Sequence, residues 1–257
     1  MKGYDLVLFD FDGTLYDSET HFTTYIDMIC EQLEPSHADQ LRHMYERTRE
    51  GQGILRVGEW YDPNAKNSKP FDENNSSAGK YYMGDYWWII YMLGYTIGAT
   101  EQQLTDSFFR TRDYMMTHTD EIHLVLGLKE WLQHAYDAQH PIVILATNSP
   151  QPDSVSILQQ LGVYPHFSQV ICNARKPTHA REILEQVSSR HHVPPNRMLC
   201  VGDHYFNDID PALAFGADTL FINRHHVSHP RKSTYEVETS EELIAQLTQI
   251  YTSSTNP

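Results

Sequence analysis

The chain has 257 residues, 40% of them hydrophobic, enough for one or two domains with a sizeable core. A formal net charge of −15 excludes the basic footprint that a general nucleic-acid binder needs. The same surplus means that a phosphate or other anionic ligand must meet positive charge supplied locally.

The first element is a strand. Tyr4-Asp5-Leu6-Val7-Leu8-Phe9 is an apolar run of strand length, and it ends in Asp10-Phe11-Asp12-Gly13-Thr14-Leu15. Strand side chains alternate with period two, so Asp10 and Asp12 share a face if the strand geometry persists. Two carboxylates in one space suit a metal, acid–base chemistry, or a nucleophile beside its proton donor. Asp-Gly after a strand is also an ordinary turn signal, so the run alone does not decide.

From Ser18 to about Asp120 the periodicity is helical. Phe22, Ile26, Ile29 and Leu33 fall on one helical face, and Leu104, Phe108 and Met115 form a later stripe. Ser36-x-x-Asp39 and Thr100-x-x-Gln103 have the spacing of capping boxes. Asp62–Lys80, rich in Asn, Ser, Pro, Lys and Asp, reads as a loop or insertion. Tyr81, Tyr82, Tyr86, Trp87, Trp88 and Tyr91 form an aromatic patch that reads as the core of a small domain in preference to a base-stacking surface.

From about Leu124 strands and helices alternate. Apolar runs at 141–146, 167–172, 197–201 and 219–222 are separated by helical segments at 128–137, 154–161, 179–189 and 207–215. An amphipathic helix closes the chain at 241–251. This alternation predicts an α/β fold, a parallel sheet covered on both faces, with ligands at the carboxyl ends of its strands. Those ends carry Asp10 and Asp12, Thr147-Asn148, Arg175-Lys176-Pro177, and Gly202-Asp203 with Asp208 five residues on. Singly each has a plain structural explanation, as helix cap, surface lysine or turn; together they describe one polar rim.

These four segments, in order, resemble the motifs of the haloacid dehalogenase superfamily, whose members are mostly phosphatases. D-x-D-G-T-L matches Asp10–Leu15, the strand ending in Thr matches Thr147, the lysine matches Lys176, and G-D-x-x-x-x-D matches Gly202, Asp203 and Asp208. The resemblance implies a Rossmann-like core made of residues 1–17 and 121–257, with a mainly helical cap inserted at 18–120. It implies a phosphatase acting on a small phosphorylated metabolite through an aspartyl-phosphate. Asp10 is then the nucleophile and Asp12 the acid and base. Thr147, Asn148 and Lys176 hold the phosphate. The cofactor is Mg2+, bound by the Asp10 and Asp203 side chains and the Asp12 carbonyl, with Asp208 acting through water or orienting the shell. Dehalogenating members resemble D-x-Y-G-T and lack the second acid, which this chain has.

A phosphomutase uses the same nucleophile and acid and is the first alternative; a non-catalytic interaction module is the second, against which all four motifs stand intact. Where the superfamily often has a small residue after the first acid of its fourth motif, this chain has His204 and Tyr205. Arg56, Lys80, Tyr81, Tyr82, Trp87, Arg110 and Arg112 are the cap residues available to read the leaving group. Sugar phosphates, phosphoglycolate and nucleoside monophosphates all fit, and oligomeric state leaves no sequence signal. Three unpaired-looking cysteines, Cys30, Cys172 and Cys200, no signal-peptide pattern and no membrane-length apolar run lead to an expectation of a cytoplasmic protein with no membrane or nucleic-acid polymer as partner. The scattered histidines, His191-His192 and His225-His226 with His229 among them, read as exposed loop residues.

Overall fold

A computed structural model describes residues 3–16, 18–70 and 79–252. Two compact units divide the chain: 1–18, 119–226 and 231–257 form the first, and 19–118 with 227–230 the second.

The first unit is built on a parallel sheet. Its strands are β1 (Leu6–Phe9), β5 (Ile142–Ala146), β6 (Gln169–Ile171), β7 (Met198–Gly202), β8 (Asp218–Ile222) and β9 (Tyr235–Val237), in the order β6-β5-β1-β7-β8-β9. Helices α5 (Leu128–Ala138), α6 (Gln151–Gln160), α7 (Ala180–His191), α8 (Asp210–Phe215) and α9 (Ser240–Thr252) link and follow the strands. The predicted α/β alternation and its parallel sheet are therefore present. β1 and β7 bury both faces, as their continuous apolar runs require. On one face Leu6, Ile144 and Cys200 pack with Ile183, Leu184 and Val187 of α7.

Register fixes the rim. Leu6 stands level with Ile142 on one side and Met198 on the other, and Phe9 with Leu145 and Val201. The amide of Asp10 donates to the Val201 carbonyl at 2.9 Å. Strand order turns about β1, the topological position at which such sheets open a crevice beyond their carboxyl ends.

Three details of this unit differ from the sequence reading. Helix α6 begins at Gln151, with Pro150 extended at its N-cap and Pro152 in its first turn, where a fixed φ is preformed for a helix; the Ser154 start is three residues late. The helix read at 207–215 is two pieces, a π-helical turn at Tyr205–Ile209 followed by α8. Strand β9, three residues long with Glu236 exposed, gives no periodic signal and was not expected.

The second unit comprises α1 (Thr20–Cys30), α2 (Pro35–Arg49), α3 (Tyr86–Thr96), α4 (Glu101–Thr117) and three short strands. Ile26 and Ile29 of the predicted stripe are buried with Leu41, Leu93 and Leu104, while Phe22 and Leu33 pack at the margin. Thr100 and Gln103 make the expected capping box at α4. Ser36 does not cap, since α2 starts at Pro35 with Glu34 in the cap position. The unit is not purely helical: β2 (Trp60–Asp62), β3 (Asn67–Lys69) and β4 (Tyr81–Tyr82) pair antiparallel, with β3 inside the segment that reads as a loop and β4 at the start of the aromatic patch. Strands of two or three largely polar residues are too short to display alternation. Residues 71–78 of that segment lie outside the described residues. The aromatic patch is divided: Tyr86, Trp87 and Tyr91 pack against the core, while Tyr81 and Trp88 are exposed. Among the described residues no helix is long and apolar enough to cross a membrane.

Candidate active site

Four strand ends deliver the predicted residues to one place in the first unit. Beyond β1, Asp10 and Asp12 flank Phe11, which is fully buried. Gly13 follows at φ +74°, a left-handed conformation that glycine adopts without strain. A Cβ there would lie 2.1 Å from an Asp203 carboxylate oxygen, so the absence of a side chain lets Asp203 approach. Gly202 does the same for Asp208, whose carboxylate would stand 2.4 Å from a Cβ at that position. Among the described residues, Asp10, Asp203 and Asp208 are the group of acids whose oxygens lie within 4.8 Å of one another.

Lys176 ties this group together. Its Nζ donates to Asp10 Oδ1 at 2.7 Å and to Asp208 Oδ1 at 2.6 Å, and all three side chains are nearly buried. Burial opposes the charge on Lys176, but Asp10 and Asp208 outweigh it and hold its pKa above the ordinary lysine value. Burial pushes the Asp10 carboxyl above the usual carboxylate range; Lys176 pulls it back, while Asp208 and Asp12 add to the rise. The positive charge that an acidic protein needs beside an anion is thus built into the site.

Asp208 is fixed from two sides. Lys176 holds one oxygen, and the other accepts the His204 amide at 3.1 Å. His204 also accepts the Asn207 amide on Nδ1 at 3.2 Å, capping the π-helical turn that carries Asp208. His204 therefore takes a structural place at the position where the superfamily often has a small residue.

Beyond β5, Thr147 Oγ1 accepts the Ser149 amide at 3.0 Å and lies 3.5 Å from Asp12 Oδ2. The Asn148 side chain makes a reciprocal pair with the Lys176 backbone, donating to its carbonyl at 3.0 Å and accepting its amide at 2.7 Å. That pair sets the position of the lysine, a task for Asn148 that sequence did not suggest.

Three functional-looking residues escaped the sequence reading. Ser149 Oγ donates to Asp12 Oδ2 at 2.6 Å. The Tyr16 hydroxyl donates to Asp12 Oδ1. Arg224 holds the turn after β1, donating to the Gly13 carbonyl at 2.5 Å and to Ser240 Oγ at 3.1 Å. A hydroxyl residue two places after Thr147 was visible as a pattern; Tyr16 and Arg224 carried no signal.

The cap residues named from sequence lie in the second unit. Arg112 is buried there, its guanidinium 5.8 Å from the Trp87 ring, and His21 stacks on the same ring at 5.0 Å. Arg110 pairs with Glu31 at the surface.

The donor set fits magnesium. The ion prefers hard oxygen ligands at about 2.1 Å, so opposite ligands stand about 4.2 Å apart. Carboxylate oxygens within 4.8 Å of one another need little adjustment to reach that spacing. Asp10 and Asp203 are placed to supply them, with Asp208 already held by Lys176 and His204.

Solved structures share the fold over 96–97% of the chain. YfnB of Bacillus subtilis, whose structure holds magnesium, is 17% identical, with 96% of this chain and 100% of that one covered and a TM-score of 0.59. A predicted phosphoglycolate phosphatase from Haemophilus somnus 129PT is 16% identical over 96% and 99% of the two chains, TM-score 0.59. A 2-haloacid dehalogenase from Pseudomonas syringae pv. tomato DC3000 is 14% identical over 97% and 99%, TM-score 0.51. At these identities the likeness is one of fold. No curated protein matches the chain in sequence. The sequence profile of the haloacid dehalogenase-like hydrolases, however, matches residues 4–216, and this span holds all four strand ends of the site. The chain belongs to the haloacid dehalogenase-like hydrolases.

Proposed function

We propose that this hydrolase is a magnesium-dependent phosphatase that cleaves a small phosphorylated metabolite through an aspartyl-phosphate on Asp10. The observation that carries the reading is the second acid. Asp12 stands beside Asp10 with hydroxyls of Tyr16 and Ser149 on its two oxygens. Cleaving a phosphoester needs a group that protonates the departing alcohol, and displacement of a halide does not. Family neighbours include both phosphatases and a dehalogenase, so this residue, not the fold, separates the two reactions.

The chemistry follows from the charges. Two anions at about 4 Å repel by about 1 kcal/mol in water and by about 4 kcal/mol at an effective dielectric of 20. Magnesium held by Asp10, Asp203 and the Asp12 carbonyl supplies neutralising charge when bound. Lys176, bridging Asp10 and Asp208, adds a second cation and orients the nucleophile. An Asp10 carboxylate oxygen attacks phosphorus as the ester P–O bond breaks, and Asp12 gives its proton to the leaving oxygen. Asp12, now ionised, takes a proton from water; the hydroxide attacks phosphorus, releasing phosphate and restoring Asp10. Thr147 and the backbone after it are assigned to the phosphate oxygens. The inserted unit is assigned the role of a cap that reads the leaving group and excludes water. Three free cysteines, Cys30, Cys172 and Cys200, lead us to assign it to the reducing cytoplasm, and the net charge of −15 leads us to assign it no nucleic-acid polymer as partner.

The test is phosphate release from 4-nitrophenyl phosphate by wild type with and without magnesium, beside Asp10→Asn. Magnesium-dependent release that Asp10→Asn abolishes is expected. Release that survives in Asp10→Asn, or none from wild type on this and a panel of metabolite phosphates, overturns the reading.

A further inference from the structure

We infer that Tyr16 is a positioning residue for Asp12, acting with Ser149 as a two-sided hydroxyl clamp that aims the Asp12 carboxyl at the leaving oxygen. The inference rests on the phosphatase reading and adds a residue that the four superfamily motifs do not contain.

A carboxylate on a short side chain turns about two torsions, and a donor or acceptor of a proton must be aimed within a few tenths of an ångström. Asp12 is held at both oxygens. Tyr16 donates to Oδ1 and Ser149 to Oδ2 at 2.6 Å, with Thr147 Oγ1 further off at 3.5 Å from Oδ2. The two hydroxyls arrive from different segments, one from the turn after β1 and one from the end of β5, so rotation of the carboxyl breaks at least one of them. Each oxygen of an ionised carboxylate has two acceptor sites, so a hydroxyl on each leaves capacity for the reacting proton.

Both donors are themselves rigid. The Tyr16 ring is 1% exposed and packs edge-on against Phe11 at 5.3 Å. The backbone of Tyr16 bridges to that of Asp12 on one side and Leu124 on the other. Gly13, at φ +74°, turns the chain so that Tyr16, four places after Asp12, can reach back to it. Ser149 is fixed through its backbone: its amide donates to Thr147 Oγ1 at 3.0 Å, and its carbonyl accepts from the Asn173 amide at 3.0 Å. A buried tyrosine used only for packing could be phenylalanine; the hydroxyl on Asp12 is what the packing account leaves unexplained.

The experiment compares kcat/KM for phenyl phosphate and 4-nitrophenyl phosphate, two esters of similar size with poor and good leaving groups. The step that needs the Asp12 proton limits the first more than the second, and kcat/KM reports the chemistry up to that step. Tyr16→Phe is expected to lower kcat/KM for phenyl phosphate about ten-fold more than for 4-nitrophenyl phosphate, part of the 100-fold or greater contribution of a general acid. Tyr4→Phe removes another buried tyrosine hydroxyl, bonded to Asp218 at 2.7 Å, and leaves the ratio of the two esters at its wild-type value. An unchanged ratio in Tyr16→Phe, whatever the absolute rates, overturns the inference, since damage to packing lowers both esters alike. Should Tyr16→Phe not fold, Ser149→Ala is expected to show the same selective loss, and equal loss on both esters there overturns the clamp. Wild type hydrolysing neither ester or any metabolite phosphate is a different failure, that of the phosphatase reading, and takes this inference with it.

Discussion

Gly13 and Asp203 come from opposite ends of the sequence, and the space of one missing methyl group lets them meet: a Cβ on residue 13 would lie 2.1 Å from the Asp203 carboxylate. Because φ at Gly13 is +74°, a side chain there also strains the backbone, at a cost of about 1 kcal/mol. Gly13→Ala is expected to fold with slightly lower Tm and to lose magnesium-dependent phosphate release by more than ten-fold, because the carboxylate must turn away from Asp10. Activity within two-fold of wild type would mean that Asp203 is not needed where the structure puts it.

Lys176 is 7% exposed and its two carboxylates 12% and 5%. Removing one partner from a buried ionic group leaves uncompensated charge, typically at a cost of about 3 kcal/mol. Lys176→Met is therefore expected to abolish turnover and to lower Tm in the presence of chelator. Added magnesium is expected to recover part of that Tm loss, since a cation replaces the missing charge between Asp10 and Asp208. A Tm deficit that magnesium leaves unchanged overturns this account of the charge balance.

The sheet was legible because its central strands are buried on both faces, and burial writes itself as continuous runs such as Ile142–Ala146. The rim was legible for a related reason: polar residues that interrupt such runs, like Asp10 and Thr147, can only be at strand ends. β9 and the strands of the second unit were not, because Tyr235–Val237 and Asn67–Lys69 span three residues each, too few to repeat a two-residue alternation. Tyr16 was hidden differently. As an apolar residue after Leu15 it reads as core, which its ring is, and only tertiary structure shows where its hydroxyl points. Asn148 looked like a phosphate ligand, yet its amide matches the Lys176 peptide, a pairing across 28 positions that no local rule anticipates.

The proposed magnesium binding has a stability readout independent of turnover. A ligand that binds only the folded state at 100 times its Kd stabilises by about 2.7 kcal/mol. Wild type is expected to rise in Tm as magnesium is added in excess of chelator, and Asp203→Asn to lose most of that rise. Asp210→Asn, which breaks a surface pair with Arg231 at 2.7 Å, is expected to keep it. Equal rises in all three proteins would assign the effect to the acidic surface instead of to the Asp10, Asp203 and Asp208 group.

Asp5 offers a pH dependence away from the site. Arg197 donates to it from Nε at 2.9 Å and Nη2 at 2.6 Å, and His140 lies 3.3 Å from Oδ1. The Arg197 hydrogen bonds lower its pKa from 3.8 to about 2, with a small opposing effect of burial and a small further lowering by His140. A depressed carboxylate pKa stabilises the fold fully above the unfolded value, near 4, and that contribution disappears as pH falls toward the folded value, near 2. Asp5 is 37% exposed, so solvent screening limits its contribution to about 1 kcal/mol or less. Asp5→Asn is expected to be less stable than wild type by that amount at pH 6 in urea unfolding, and the gap is expected to close between pH 4 and pH 2. A gap of constant size across that window would show that the loss comes from packing or neutral hydrogen bonding at the start of β1, not from the charge.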